Sequence, residues 1–289
     1  MSAVGRDGIP RAAGPRAGER QWLARRRADA DREPVRPRLP LVWQGKVIGS
    51  VEPALAEALQ RAGTGDALPL RLQVGDGTAS FHVEGSLSPS LAHLAASLRA
   101  AGLSHVWRDE LLPVLAADGR VLGEVERAVV RPLGIPTRAV HLVGRTPDGR
   151  HWVQQRSLTK ANDPGRWDTV MGGMVPVGES VADALARETW EEAGLRLEQL
   201  QALLPGGCVS LRRPVGDGRG MGYVVERIDW YHCVLPAGVV PVNQDGEVAQ
   251  FCLLTTDELS RRLLGDEFTL EAALILAHAL GWEAGARLR

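Results

Sequence analysis

The chain has 289 residues, 44% of them hydrophobic, and its 34 Lys and Arg nearly balance 35 Asp and Glu, for a formal net charge of −1. That is enough chain for two medium-sized domains of ordinary composition, and the balance gives no overall pull toward nucleic acid. No apolar run is long enough to span a bilayer and no signal-peptide pattern opens the sequence, so no membrane association and a cytoplasmic location are expected.

Residues 1–38 are rich in Arg, Ala, Gly and Pro, with little periodicity apart from Gln21 to Arg27, and are expected to form a flexible tail. Asp29, Asp31 and Glu33 interrupt the arginines and only Trp22 offers a stacking ring, which argues against an RNA-binding arm. From Leu39 to about Ile135 the order strand, strand, helix predicts a smaller α+β N-terminal domain, with a hairpin signal at Gly75-Asp76-Gly77 and a helix from Ser90 to Ala101. Residues 45–54 and 119–128 share a skeleton of Gly, Val, Gly, Val, Glu and Ala, as two strand units leading into helices would. Glu52 and Glu126 fall at the expected helix entries.

A second domain is expected over 136–282, followed by a short tail at 283–289. Ala139–Gly144 and His151–Gln155 read as strands around the turn Pro147-Asp148-Gly149. A loop through Lys160, Pro164 and Gly165 leads to a strand at Trp167–Met171. Gly172-Gly173 is expected to open a loop where backbone can approach a ligand. Strand-like runs at Tyr223–Leu235 and Val248–Leu253 and a closing helix from Thr269 to Leu280 complete an α/β sandwich. Cys208, Cys233 and Cys252 are odd in number and lack C-x-x-C spacing, so buried, inert thiols are expected rather than a disulfide framework or a zinc site. Of the basic residues only Lys46 and Lys160 are lysine, which marks Lys160 as a place where a compact point charge is wanted.

Residues 173–195 carry the most chemistry. Ala182, Leu185, Ala186, Thr189 and Ala193 recur at the spacing of a packed helix face, with Ser180 able to cap its start and Gly194 its end. Glu188, Glu191 and Glu192, at offsets of three and four, are expected outside that stripe and on one side of the helix. Clustered carboxylates raise one another's pKa, so the arrangement calls for a compensating cation. Arg187 is one, and Mg²⁺ or Mn²⁺, which take oxygen ligands, is the other.

Written as G-x5-E-x7-R-E-U-x-E-E-x-G-U, with U a bulky apolar residue, the fixed letters fall on Gly173, Glu179, Arg187, Glu188, Glu191, Glu192, Gly194 and Leu195. This resembles the Nudix box of hydrolases that cleave a diphosphate linked to another moiety. One position departs, the small and half-polar Thr189, which bears on helix packing and not on the carboxylates. Glu191 and Glu192 are the first choices as direct metal ligands, and Glu188 on the same side is either a third ligand or a partner to metal-bound water. The resemblance implies a Nudix α/β/α sandwich, with the Gly173 carbonyl completing the metal ligands, Arg187 orienting the carboxylates and Glu179 structural. Glu247, in an Asp-Gly-Glu turn, is a candidate general base or extra ligand, or else an exposed turn residue. Arg156, Lys160 and Arg166 are available for substrate phosphates, and Trp167 and Trp230 for a heteroaromatic ring or for the core. His141 reads as a structural histidine inside its strand.

Glu126-Arg127-Ala128, Gly134-Ile135, His141-Leu142, Arg156-Ser157, Lys160, Pro164-Gly165, Asp168, Gly172-Gly173, Leu235-Pro236 and Asp245-Gly246-Glu247-Val248 extend the resemblance over roughly 40–282. They are similar to one Nudix subfamily with an uncharacterised N-terminal domain, which includes the Nudix part beside thiamine pyrophosphokinase in some fungi. This implies hydrolysis of thiamine diphosphate, or its oxidised oxo-type analogues, to the monophosphate and phosphate. The expected partner is a small-molecule diphosphate, with no nucleic acid; a homodimer is allowed for. The alternatives are a hydrolase of a nucleotide diphosphate derivative such as ADP-ribose, a nucleotide-sensing Nudix module, and isopentenyl diphosphate isomerase. The isomerase shares the run around Gln154–Trp167 but needs a cysteine where this chain continues Asp168-Thr169-Val170-Met171.

Overall fold

The computed structural model describes residues 15–62, 67–75, 77–216 and 222–282. Residues 1–14 of the expected tail, Asp76 of the expected hairpin turn and the expected tail at 283–289 lie outside the described residues. The rest of the N-terminal segment differs from expectation, because Ala17–Ala30 form a helix, α1, that buries Glu19, Trp22, Leu23 and Ala30. Trp22 donates from Nε1 to Asp266 at 2.8 Å and meets Trp282 edge-on at 5.5 Å between ring centres. The buried positions do recur at helical spacing, but Glu19 is charged and Ala30 small, so no apolar stripe is visible in the sequence.

The next unit begins with a hairpin of β1 (Leu39–Trp43) and β2 (Lys46–Val51), turning through Gln44 and Gly45 with both φ positive. It continues through α2 (Pro53–Ala62), β3 (Leu70–Gly75), β4 (Thr78–Val83), α3 (Leu87–Ala100) and a second hairpin of β5 (Leu111–Leu115) and β6 (Val121–Glu126). Strands β2-β1-β4-β3 form one sheet, and β5 and β6 form a two-stranded sheet among the described residues. Leu41, Ile48, Leu55, Leu91, Leu98, Val114 and Leu133 belong to a single buried cluster of this unit. The sequence echo corresponds to the return strands β2 and β6. A Cβ on Gly49 would sit 2.5 Å from the Leu133 carbonyl, and one on Gly123 would sit 2.9 Å from Ser88 Oγ, so both echo glycines mark a close backbone approach. After Glu52 the chain enters α2, whereas after Glu126 it makes only the 3₁₀ turn Arg127–Val129, capped by Glu126 Oε1 on the Ala128 N–H at 3.3 Å.

From Thr137 onward the chain builds a seven-stranded mixed sheet of β7 (Thr137–Arg145), β8 (His151–Arg156), β9 (Trp167–Asp168), β10 (Met171–Met174), β11 (Gln201–Val215), β12 (Gly222–Val234) and β13 (Val248–Leu254). The order is β11-β12-β7-β8-β13, with β10 on β7 and β9 on β8. Both faces are covered. Helix α4 (Val181–Ala193) packs over Val140 and Leu142, while α1, α5 (Thr256–Leu264) and α6 (Leu270–Ala279) cover Ala139, Val143 and Ile228. Central strand β7 is therefore buried on alternate residues toward both layers, as a strand inside an α/β/α sandwich must be.

Helix α5 has no counterpart in the sequence reading, and three further details depart from it. Gly172 and Gly173 lie in strand β10, opposite His141 and Val140, and do not open a loop. The strand expected over Trp167–Met171 is split between β9 and β10. Strand β11 was hidden by Pro205, Gly206 and Gly207, residues that ordinarily break a strand pattern; here Gly206 leaves room for the Trp230 ring, which a Cβ would overlap. All three cysteines are free, and burial pushes the Cys233 thiol up to about 12, whereas Cys208 and Cys252 are only partly buried. No helix among the described residues is long and apolar enough to cross a membrane.

Candidate active site

Helix α4 is punctuated as its sequence predicts. Ser180 Oγ accepts from the Asp183 N–H at 3.2 Å while Asp183 Oδ2 accepts from the Ser180 N–H at 2.9 Å, and Gly194 ends the helix at φ +62°. Its buried face is rotated from the expected one. Ala184, Leu185, Thr189, Glu192 and Ala193 are buried, whereas Ala182 and Ala186 are exposed. Glu192 thus sits on the packing face, with its side chain 1% exposed, and the three glutamates do not all fall outside the stripe. The physical reason is the neighbour: α4 packs against β10, whose two glycines leave room for carboxylates where side chains would otherwise stand.

Glu192 Oε2 accepts from Gln154 Nε2 at 2.7 Å and from the Gly172 N–H at 3.0 Å, and Oε1 accepts from Lys160 Nζ at 3.1 Å. Lys160 also donates to Glu247 Oε2, so this lysine bridges the helix carboxylate and the Asp-Gly-Glu turn. Arg187 is the second organiser. Its Nε donates to both Glu179 oxygens (2.9 and 3.1 Å), its Nη1 to Glu188 and Glu191 (2.9 Å each), and its Nη2 to the Met174 carbonyl at 3.2 Å. A Cβ on Gly173 would overlap the Glu188 carboxyl group, which lies directly against this stretch of backbone. Arg156 reaches Asp168 Oδ2 at 3.3 Å, and His141 Nδ1 pairs with Thr169 Oγ1 at 2.9 Å beneath β10.

The electrostatics follow from burial and these pairings. Burial foremost, then Glu192 and Glu191, push the Glu188 carboxyl up to about 7 against the opposing charge of Arg187. Burial alone would raise Glu247, but its bond to Lys160 and the charges of Lys160, Arg108 and Arg127 hold it below the usual carboxylate range. Burial likewise disfavours the Lys160 cation, yet Glu192 and Glu247 together raise its pKa above the ordinary value. The folded protein holds the Glu188 proton more tightly than the unfolded chain does. The resulting stabilisation is fully present below the ordinary value of 4.5 and is lost as pH rises through about 7. In chelator-treated protein, raising the pH from about 5 to about 8 is therefore expected to lower the melting temperature of wild type relative to Glu188→Gln. A difference that stays constant over that range would rule out the buried proton.

These groups line an open cleft. Of the residues singled out from the sequence, Arg156, Lys160, Gly173, Glu188, Glu192 and Glu247 line it. Glu191 is not on the lining, being 43% exposed and held by Arg187. Arg166 and Trp167 are not brought to the cleft either: Arg166 donates to the Asp266 carbonyl, and Trp167 is buried with Arg262 stacked over its ring at 4.8 Å. Trp230 is core. The sequence did not reveal Gln154 as the partner of Glu192, although its place two residues before Arg156 on β8 puts both on one face of the strand. Nor did it reveal that His105, Arg108, Arg127 and Arg131, all before the sheet begins, form the opposite wall.

A NUDIX domain family model matches residues 135–274. An uncharacterised Nudix hydrolase of Streptomyces coelicolor is 38% identical over 177 residues, covering 60% of this chain and 90% of that protein. The chain belongs to the Nudix family. Chloroplastic Nudix hydrolase 24 of Arabidopsis thaliana is 31% identical over 59% of this chain and 47% of its own length, and the chain spans about half the length of the first curated relatives it matches. The crystal structure of DR0079 from Deinococcus radiodurans, at 22% identity, covers 59% of this chain and 98% of that one with a TM-score of 0.46.

A divalent cation is implied by the Nudix resemblance, and the side chains allow a test of fit. Among the described residues no three His, Cys, Asp or Glu groups stand arranged to hold an ion unaided, since Arg187 and Lys160 are bonded between the carboxylates. The donors are nevertheless oxygen throughout, and the Gly173 backbone is open to the Glu188 carboxyl, so the Nudix helix fits a hard cation. Gly173→Ala is expected to displace Glu188, the flexible end of a side chain, and thus to cost little stability. Its kcat should fall about tenfold to a hundredfold, read by turnover alongside a thermal melt. Turnover equal to wild type would show that the contact is dispensable.

Proposed function

We propose that this Nudix protein hydrolyses the phosphoric anhydride of a small organic diphosphate, using Mg²⁺ or Mn²⁺, and that its substrate is thiamine diphosphate or an oxidised, oxo-type analogue, giving the monophosphate and phosphate. The observation that carries the reaction class is the cluster of Glu188, Glu192, Lys160 and Glu247 on the floor of one open cleft. The choice of substrate is supported by the subfamily resemblance of residues 40–282, N-terminal unit included.

Glu188, Glu191, Glu192 and the Gly173 carbonyl would hold the cation, which when bound neutralises phosphate charge and makes water a better nucleophile. Arg187 keeps Glu188 and Glu191 in orientation through its bonds to both. Glu247, kept ionised by Lys160, accepts the proton of the attacking water at Oε1, because Oε2 is already engaged by the lysine. As the water bonds to phosphorus, the bridging anhydride oxygen leaves with its electron pair and two phosphate products result. Arg156, which lines the cleft and is bonded to Asp168, would meet substrate phosphate there. An isomerase reading is disfavoured because Asp168, buried and bonded to Arg156, follows Trp167 where a cysteine would be required.

The test is phosphate release with and without Mg²⁺ from thiamine diphosphate, its oxo analogues, ADP-ribose, coenzyme A and NADH, with a phosphatase-coupled assay for products that are both monoesters. Metal-dependent turnover of the thiamine compounds, lost in Glu191→Gln and Glu192→Gln, is expected. Turnover confined to a nucleotide would keep the reaction and discard thiamine. Tight binding of one compound with no turnover of any would favour a sensor.

A further inference from the structure

The floor of the cleft belongs to the NUDIX domain, but one wall does not. His105, Arg108, Arg127 and Arg131 come from the unit that precedes it and line the same cleft as Glu188, Glu192 and Glu247. That wall is docked. Asn162, two residues beyond Lys160, accepts at Oδ1 from Arg131 Nη1 at 3.1 Å and pairs there with His105 Nε2 at 3.0 Å. Its own carbonyl accepts from Arg156 at 3.0 and 3.3 Å. The loop that carries Lys160 is thus pinned to the N-terminal unit on one side and to β8 on the other.

Most cations around the cleft are committed within the chain. Lys160 lies between Glu192 and Glu247, Arg156 is bonded to Asp168 and Asn162, Arg127 is paired with Glu110 at 2.5 Å, and Arg131 holds Asn162. Arg108 differs. Its backbone N–H donates to the buried Glu126 carboxylate at 3.2 Å, which anchors its main chain, while its side chain is exposed at the cleft. Among the described residues no hydrogen bond or ion pair holds its guanidinium. A diphosphate bound over the floor has outward-facing oxygens that a planar, always-charged fork can take in a bidentate manner.

We propose that Arg108 is a substrate-phosphate ligand, so that the active site is shared between the NUDIX domain and the N-terminal unit and is incomplete without the latter. This rests on the diphosphate-hydrolase reading above. The role is binding: Arg108 takes the outer oxygens of the diphosphate and neither gives nor accepts a proton in the reaction.

The full chain is compared with Arg108→Ala, Arg108→Lys and, as a control, Arg120→Ala, a residue on the exposed β5–β6 turn that does not line the cleft. Binding of methylenediphosphonate, a diphosphate analogue whose P–C–P bridge cannot be hydrolysed, is measured by calorimetry in Mg²⁺, and KM and kcat are measured for whichever diphosphate wild type turns over. Arg108→Ala is expected to weaken binding and raise KM by about tenfold or more with kcat within about threefold, as loss of one charge-assisted bond does. Arg108→Lys should recover part of the loss, Arg120→Ala should match wild type, and all variants should melt like wild type. An Arg108→Ala protein that binds and turns over within about twofold of wild type, or an equal loss in Arg120→Ala, overturns the proposal. If wild type neither binds nor hydrolyses any diphosphate, the parent reading fails and this one with it, an outcome visible without any variant.

Discussion

Replacing Glu192 by Gln is expected to lower kcat by about a thousandfold or more, a larger effect than any other single substitution in the cleft. The side chain is fully enclosed, and every hydrogen bond it makes is one it accepts: Gln154 and the Gly172 N–H on Oε2, Lys160 on Oε1. An amide has one accepting end only, so its NH₂ would face Lys160 in one orientation, or Gln154 Nε2 and the Gly172 N–H in the other. Leaving a buried donor unmet costs about 1–3 kcal/mol. The lost charge matters more, because Lys160 would then answer to Glu247 alone and, on the proposed function, the cation would lose one of its carboxylates. The check is turnover together with Mn²⁺ affinity and a thermal melt. A folded Glu192→Gln protein retaining more than about a tenth of wild-type kcat would remove Glu192 from the chemistry.

The second large effect lies far from the cleft. Trp22→Ala is expected to destabilise the protein by about 3–5 kcal/mol in urea denaturation, the range for emptying a buried tryptophan site. Trp22 is 1% exposed, shares the core cluster of α5 and α6 and donates to Asp266 across 244 positions of sequence. If residues 17–30 were a solvated tail, the substitution would change stability by no more than about 0.5 kcal/mol. A result of that size would sink the placement of α1.

That helix shows why part of the fold was illegible. Sequence periodicity records which residues are apolar, and α1 buries a Glu and a small Ala beside its Trp and Leu, with Arg26 turned to Asp29 and Asp266. Its partner helix lies at the other end of the chain, so no local pattern announces it. Strand β11 is hidden for the converse reason: its Gly206 is required by the Trp230 ring on β12, a neighbour that only the folded sheet supplies. The glycine pair before α4 resembles a loop in sequence for the same reason. Gly172 fits beside the buried His141 ring, with a Cβ only 2.5 Å from Cε1, and that constraint belongs to the pairing of β10 with β7.

What the sequence determined by itself is the chemistry written in contiguous residues: the capped helix α4, the spacing of Arg187, Glu188, Glu191 and Glu192 upon it, and several of the elements around it, though not β11 or α5. Caps and carboxylate clusters act over three or four residues, within the reach of a single helical turn. Only the tertiary structure decided that Glu192 is buried and Glu191 half exposed, that Arg166 and Trp167 turn away from the cleft, and that Arg108 and Arg131 face it from another unit. Those outcomes depend on which surfaces meet across scores of intervening residues. A residue's spacing can say which face it occupies, but burial, pKa and shared walls come from what is packed against that face.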